Sequence, residues 1–194
     1  MGRSNRDQAD RNRLRIIDEA DAALRSGGTA AISIADIMAR VGMTQGGFYK
    51  HFPSREALIS EACSSGFERS MENWTEKAAA ASRSVRGPLR RLVEYYLSKK
   101  PIEKSCPMVA LGPDAAPHLA SRELNVAYRV GVEALFKTFT EIAETDPSCS
   151  LSQRELTFAF AAMVGANMLS RATGDAKWAD AVEEILVEGT AQDR

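Results

Sequence analysis

From Gly27 to Ser54 the chain carries so many helix starts and stops that only short helices joined by tight turns can accommodate them. Gly27-Gly28 closes a helix predicted over about Asp10 to Arg25, on which Leu14, Ile17, Ala20 and Leu24 share one face. Ser33-Ile-Ala-Asp36 opens a second helix with a capping-box-like start, and Gly42 stops it after Val41. Thr44 caps a third helix predicted to run to about His51. Pro53-Ser54 breaks the chain again before a fourth begins at Arg55. The polar first ten residues, with Arg3 and Arg6, are expected to form a mobile arm.

The rest of the chain reads as helix as well. Cys63, Phe67, Met71, Trp74 and Ala78 recur every three or four residues, which predicts a long fourth helix from Arg55 to near Ala81. A fifth starts at Gly87-Pro88 and is closed by Pro101. Four prolines make the interval from Pro101 to Pro117 irregular, with one short helix after Pro107. Longer helices are expected from about Leu119 to Glu144, from the capping box Ser152-Gln-Arg-Glu155 to about Ala172, and from Trp178 to Glu188. No segment alternates over strand length, so the chain is expected to be all-α, with about nine helices. The expected division is an arm and DNA-binding head over 1–54 and a regulatory body over 55–194.

Charge and composition narrow the function. Up to Arg55, nine Lys/Arg stand against six Asp/Glu; beyond it, sixteen stand against twenty, so the head is +3 and the body −4. A contact with nucleic acid is then confined to the first quarter of the chain. Three scattered cysteines suit a reducing cytosol, and no Cys/His pair has the spacing of a zinc site. With no apolar run long enough for a signal peptide or a membrane span, a cytoplasmic protein without membrane partners is expected. No catalytic set and no phosphate-cradling glycine loop is recognisable, so neither enzymatic activity nor a cofactor is expected. A purely architectural DNA binder would carry far more positive charge than a net −1.

The tight turn Val41-Gly42-Met43 between two short helices is helix-turn-helix spacing. It leaves Thr44, Gln45, Gly46 and Gly47 projecting from the start of the third helix. Two adjacent glycines there cost about 2 kcal/mol relative to alanines. Their absent Cβ atoms would let the backbone approach a major groove, with Gln45 pairing to a base edge and Thr44 reaching base or phosphate. Tyr49, Lys50, His51 and Arg55 are donors suited to phosphate, and Ser33 and Ser54 sit at helix N-termini, where free amides favour anions.

These residues carry a resemblance to the tetracycline-repressor (TetR) family. The segment Ser33-Ile-Ala-Asp-Ile-Met-Ala-Arg-Val-Gly-Met-Thr-Gln-Gly-Gly-Phe-Tyr-Lys-His-Phe-Pro-Ser-Arg-Glu-Ala-Leu58 is similar to the family signature, notably at Gly42, Phe48-Tyr49, His51-Phe52 and Ser54-Arg55-Glu56. The resemblance implies a three-helix head, a body of about six helices, dimerisation through the last two long helices, and phosphate positions at Tyr49, His51 and Arg55. It also implies an apolar cavity in the body for a small-molecule inducer. Phe67, Met71, Trp74, Tyr96, Cys106, Met108, Phe136, Phe160, Met163 and Asn167 are the candidate lining, each also compatible with ordinary core packing.

Ala161, Gly165, Met168 and Ala172 form a stripe of mostly small residues on the penultimate helix. With Trp178, Val182 and Ile185 they make a candidate homodimer interface, which would let two heads address a palindromic operator with half-sites about 34 Å apart. Cys106, before Pro107 and near Lys104, is open to two readings, a packed thiol or an oxidant or electrophile sensor. The expected function is a repressor released from double-stranded DNA by an inducer. An activator on the same scaffold and a Cys106-based sensing repressor are the alternatives.

Overall fold

The computed structural model describes residues 2–81 and 87–189. Among them there is no strand. The α-helices are α1 (Gly2–Gly27), α2 (Ile34–Arg40), α3 (Arg55–Ala81), α4 (Pro88–Leu97), α5 (Pro107–Leu111), α6 (Arg122–Glu144), α7 (Gln153–Thr173) and α8 (Lys177–Gly189). Where a third α-helix was expected, Gln45–Lys50 instead winds as a 3-10 segment.

Local chemistry sets most boundaries. The Ser33 hydroxyl accepts the Asp36 amide and starts α2. Ser152 and Glu155 form a reciprocal capping box at the start of α7. Gly42, with φ of +73°, turns the chain out of α2 in a conformation that disfavours any other residue. Proline occupies the first position of α4 and of α5, where its missing N–H costs nothing.

Four expectations are corrected. The first residues do not form an arm: α1 begins at Gly2, and Gln8 bonds Asn12 and Arg11 along its exposed surface. Leu14 is exposed, and Ile16 and Ala23 complete the buried face of α1 with Ile17, Ala20 and Leu24. Thr44 makes no side-chain cap bond, and the glycine pair after it is too poor a helix former to sustain i→i+4 bonding; Gly47 N–H donates to Thr44 O at 2.9 Å instead. Finally, α6 starts at Arg122 rather than Leu119, because Ser121 caps it by accepting the Leu124 amide at 3.2 Å.

The chain forms two compact units. The first takes residues up to Glu68 together with Lys100–Val132. In it, α1 packs on α2, and Ile37, Met38, Phe48, Phe52, Leu58 and Ile59 are buried. A buried ion pair lies within it: Arg25 Nε donates to both carboxylate oxygens of Asp21 at 2.9 Å. Its two terminal nitrogens donate to Ser105 O at 2.6 Å and Gly66 O at 2.7 Å, so the charge is matched and each of its three nitrogens has an acceptor. Burial, then Asp21, pushes the nearby Cys63 thiol up to about 12.

The second unit takes Arg69–Lys99 and the chain from Glu133 onward. Its centre is aromatic. Trp74 meets Tyr96 edge-on with ring centres 5.4 Å apart, and Phe160 lies 5.2 Å from Phe136 and 5.7 Å from Phe139. Buried Asp146 serves as a remote cap for α4, accepting Leu89 N–H at 2.9 Å through one oxygen while the other holds Ser148.

Candidate DNA-binding interface

The turn that follows α2 is held from below and left open above. Phe48 is fully buried; its ring stacks on Phe52 at 5.6 Å, and the Arg13 guanidinium lies 4.7 Å over the opposite partner, Phe52. Met43 N–H donates to Met38 O at 2.8 Å and Arg15 to Val41 O at 2.8 Å, which ties the Gly42 turn to the helices on either side. On this base Thr44, Gln45, Gly46, Tyr49 and Lys50 are exposed, Tyr49 at 68%. Gly47 and His51 are half-buried.

A phenol ring exposed to that degree, next to a fully buried phenylalanine, does not contribute to the core. The ring meets Phe48 at 84° with centres 5.2 Å apart, which packs one side of it while most of the residue stays exposed. From Thr44 to Arg55 the chain has no acidic residue, so this surface presents donors and positive charge without a competing carboxylate on the same segment.

The glycine pair is informative about what the fold itself needs. A Cβ on Gly46 would meet nothing within 4 Å, and one on Gly47 would make only ordinary contacts, the nearest with the Met38 methyl at 3.6 Å. Neither has a positive φ. The protein has room for side chains at both positions and leaves them empty.

Ser33 and Ser54 are half-buried helix caps, with Ser54 Oγ accepting the Ala57 amide at 3.0 Å. Arg55 is placed otherwise than expected of a phosphate donor. Its Nε donates to Ile32 O at 2.8 Å and its terminal nitrogen to Thr29 O, so the guanidinium is turned to backbone carbonyls of its own chain. No local pattern announces this, since the partners lie more than twenty positions away.

The candidate ligand residues are divided. Phe67, Cys106 and Met108 belong to the first unit, where Phe67 meets Tyr128 edge-on and the Tyr128 hydroxyl donates to Met108 O at 2.8 Å. Met71, Trp74, Tyr96, Phe136, Phe160, Met163 and Asn167 belong to the second, with Trp74, Tyr96, Phe136 and Phe160 in one aromatic cluster. Asn167 donates to Tyr96 O at 3.3 Å. Every candidate interface residue lies outside the buried core: Ala161, Met168, Ala172, Trp178 and Ile185 are exposed, and Gly165 and Val182 are half-buried. Phe158, 73% exposed, continues the same face of α7 and was missed by sequence reasoning, although its spacing of three from Ala161 was visible.

Among the described residues no helix is long and apolar enough to cross a membrane, and no cluster of acidic, histidine or cysteine side chains could hold a metal ion. Residues 16–62 match the family model of bacterial regulatory proteins of the tetR family. Among curated proteins none matches the sequence significantly. Several solved structures share the fold along nearly the whole chain. A TetR transcriptional regulator from Chloroflexus aurantiacus J-10-FL is 22% identical over 96% of this chain and 97% of its own, with a TM-score of 0.72. A TetR-family regulator from Agrobacterium tumefaciens is 20% identical over 93% and 97%, with a TM-score of 0.74. The reduced form of NemR from E. coli is 16% identical over 89% and 93%, with a TM-score of 0.73. Residues 16–62 are thus similar to the DNA-binding head of the tetR family, and the chain as a whole shares its fold with regulators of that family.

Proposed function

We propose that the chain is a non-enzymatic, cytoplasmic repressor that binds a palindromic operator as a homodimer and is released by a small-molecule inducer. The observation that carries this reading is the acid-free turn from Thr44 to Lys50, exposed above a core of Phe48 and Phe52. In this reading Gln45 reads a base edge, Thr44 reaches base or phosphate, and Gly46 and Gly47 bring the backbone against the groove. Tyr49, Lys50, His51 and the Ser33 hydroxyl hold phosphates and fix the register. The vacant space around both glycines supports it, because a fold with room for side chains gains about 1 kcal/mol per alanine it declines to use.

The face Phe158, Ala161, Gly165, Met168 and Ala172 on α7, with Trp178, Val182 and Ile185 on α8, is the proposed surface for the second copy. The inducer is proposed to be an apolar, aromatic-compatible molecule held in the body, 55–194, acting by preferring the conformation that binds DNA poorly. About 1.4 kcal/mol of such preference changes the balance tenfold.

The test is fluorescence anisotropy with a duplex enriched by the protein from a random-sequence library, set against a scrambled duplex of equal length. Salt-sensitive binding with strong preference for the enriched duplex is expected; equal affinity for both would remove the regulator reading. A promoter-reporter assay then separates repressor from activator.

A second reading places the trigger at Cys106. Burial lowers the Lys100 pKa from 10.5 to about 8, and a charge on Cys106 opposes that lowering, so the two groups are coupled electrostatically. In that case Cys106→Ser would bind DNA normally and fail to release it under oxidant.

A further inference from the structure

The loop between α1 and α2 is gripped from two sides by charged groups that sequence reasoning did not connect with it. Thr29 N–H donates to the Asp114 carboxylate at 2.5 Å, while Thr29 O accepts from Arg55. Arg55 Nε reaches Ile32 O at 2.8 Å, so one guanidinium bridges both ends of the Thr29–Ala31 turn. Ile32 is buried, and the next residue, Ser33, is the cap that starts α2. Gly28 has a φ of +65°, and a Cβ there would collide with the Asp114 carboxylate, so the loop is shaped around this side chain.

We propose that Arg55 and Asp114 are positioning residues for DNA binding: together they clamp the α1–α2 loop and thereby set the start of α2 and the attitude of the exposed turn behind it. The proposal rests on the DNA-binding reading above. Its physical basis is that both backbone polar groups of Thr29 are held by charged partners, each bond stronger than a neutral one and directed. The planar fork reaches the two carbonyls through two separate nitrogens in a fixed geometry, whereas an ammonium must reach both from one atom. A lysine at position 55 keeps the positive charge but supplies a single point of attachment.

That difference separates a clamp from a phosphate contact. Affinity is measured by anisotropy on a duplex enriched by the wild-type protein, over a series of salt concentrations, at a temperature where circular dichroism shows every variant folded. For Arg55→Lys and Asp114→Ala the clamp predicts affinity lowered about tenfold with the slope of log K on log salt unchanged. Asp114→Asn keeps an oxygen for the Thr29 amide and is expected to restore most of the affinity. Hydrogen exchange without DNA provides an independent readout: Thr29 N–H is slow in wild type and Asp114→Asn and fast in Asp114→Ala. If Asp114→Ala does not fold, Arg55→Lys carries the test alone. Wild-type affinity in Arg55→Lys overturns the proposal and assigns Arg55 to a phosphate, as does a slope reduced by about one in Arg55→Ala and restored by lysine. A wild-type protein that binds no duplex removes the function itself, a distinct outcome, since Thr29 exchange reports the clamp without DNA.

Discussion

The segment Thr44–Lys50 and the outer face of α7 are both exposed, and they expose opposite chemistry. The first carries a hydroxyl, an amide, a phenol and an amine beside two glycines, and no carboxylate. The second presents Phe158, Ala161, Gly165, Met168 and Ala172, and Ile185 on α8 is 65% exposed. Water solvates the first surface favourably and the second at a cost. A polyanion suits one; a second copy of the same apolar face suits the other. On the proposed reading the contrast lets one small chain take two partners: a surface for DNA that stays wet and charged, and a surface for a second copy that can dry.

The largest expected effect breaks the apolar half of the contrast. Met168→Arg combined with Ile185→Asp is predicted to give a monomer by analytical ultracentrifugation. It is also predicted to weaken operator binding about a hundredfold or more, since two linked heads gain far more than one. A dimer that survives both charges would place the partner surface elsewhere.

A smaller effect probes the polar half. Lys50→Ala is expected to lower affinity and to flatten the salt slope by about one, and Tyr49→Phe to lower affinity with the slope unchanged, specificity between duplexes being retained in both. Smaller still, Gly47→Ala is predicted to raise stability in urea by about 0.5–1 kcal/mol while DNA binding weakens. An alanine that leaves DNA affinity untouched would show that the empty space above the turn has no partner.

The smallest effect concerns pH. Burial holds Lys100 near 8 in the folded chain against 10.5 in the unfolded one, so between those values the unfolded chain binds more protons and stability rises with pH. Cys63 and Tyr128, both pushed up to about 12, act in the opposite sense above their unfolded values of 9.0 and 10.0. Lys100→Met is therefore expected to flatten the urea midpoint between about pH 8 and pH 9, where the lysine acts alone.

What was legible in the sequence follows from range. Ser33, Gly42 and the Ser152–Glu155 box act on backbone within four residues, so the helices they start or stop could be read directly. The beginning of α1 was not legible, because a polar stretch held by bonds such as Gln8 to Asn12 has no apolar period to betray it. Nothing local marks Asp21 and Arg25 as a buried pair; the carbonyls of Gly66 and Ser105 that accept from Arg25 are distant in sequence. The backbone contacts of Arg55 could not be read for the same reason: its partners Thr29 and Ile32 precede it by more than twenty residues, and Asp114 follows them by more than eighty. The candidate segment Thr44–Lys50 could be picked out because it is seven consecutive residues directly after the Gly42 turn, with Ser33 and His51 outside it.

The central claim is that this turn meets the duplex, and the double variant Gln45→Ala, Tyr49→Ala tests it most directly. Both side chains are exposed, so folding and subunit mass are expected to be unchanged by circular dichroism and ultracentrifugation. The account predicts that anisotropy on the enriched duplex then shows affinity lowered about a hundredfold, close to that for a scrambled duplex. Wild-type affinity in that variant would contradict it.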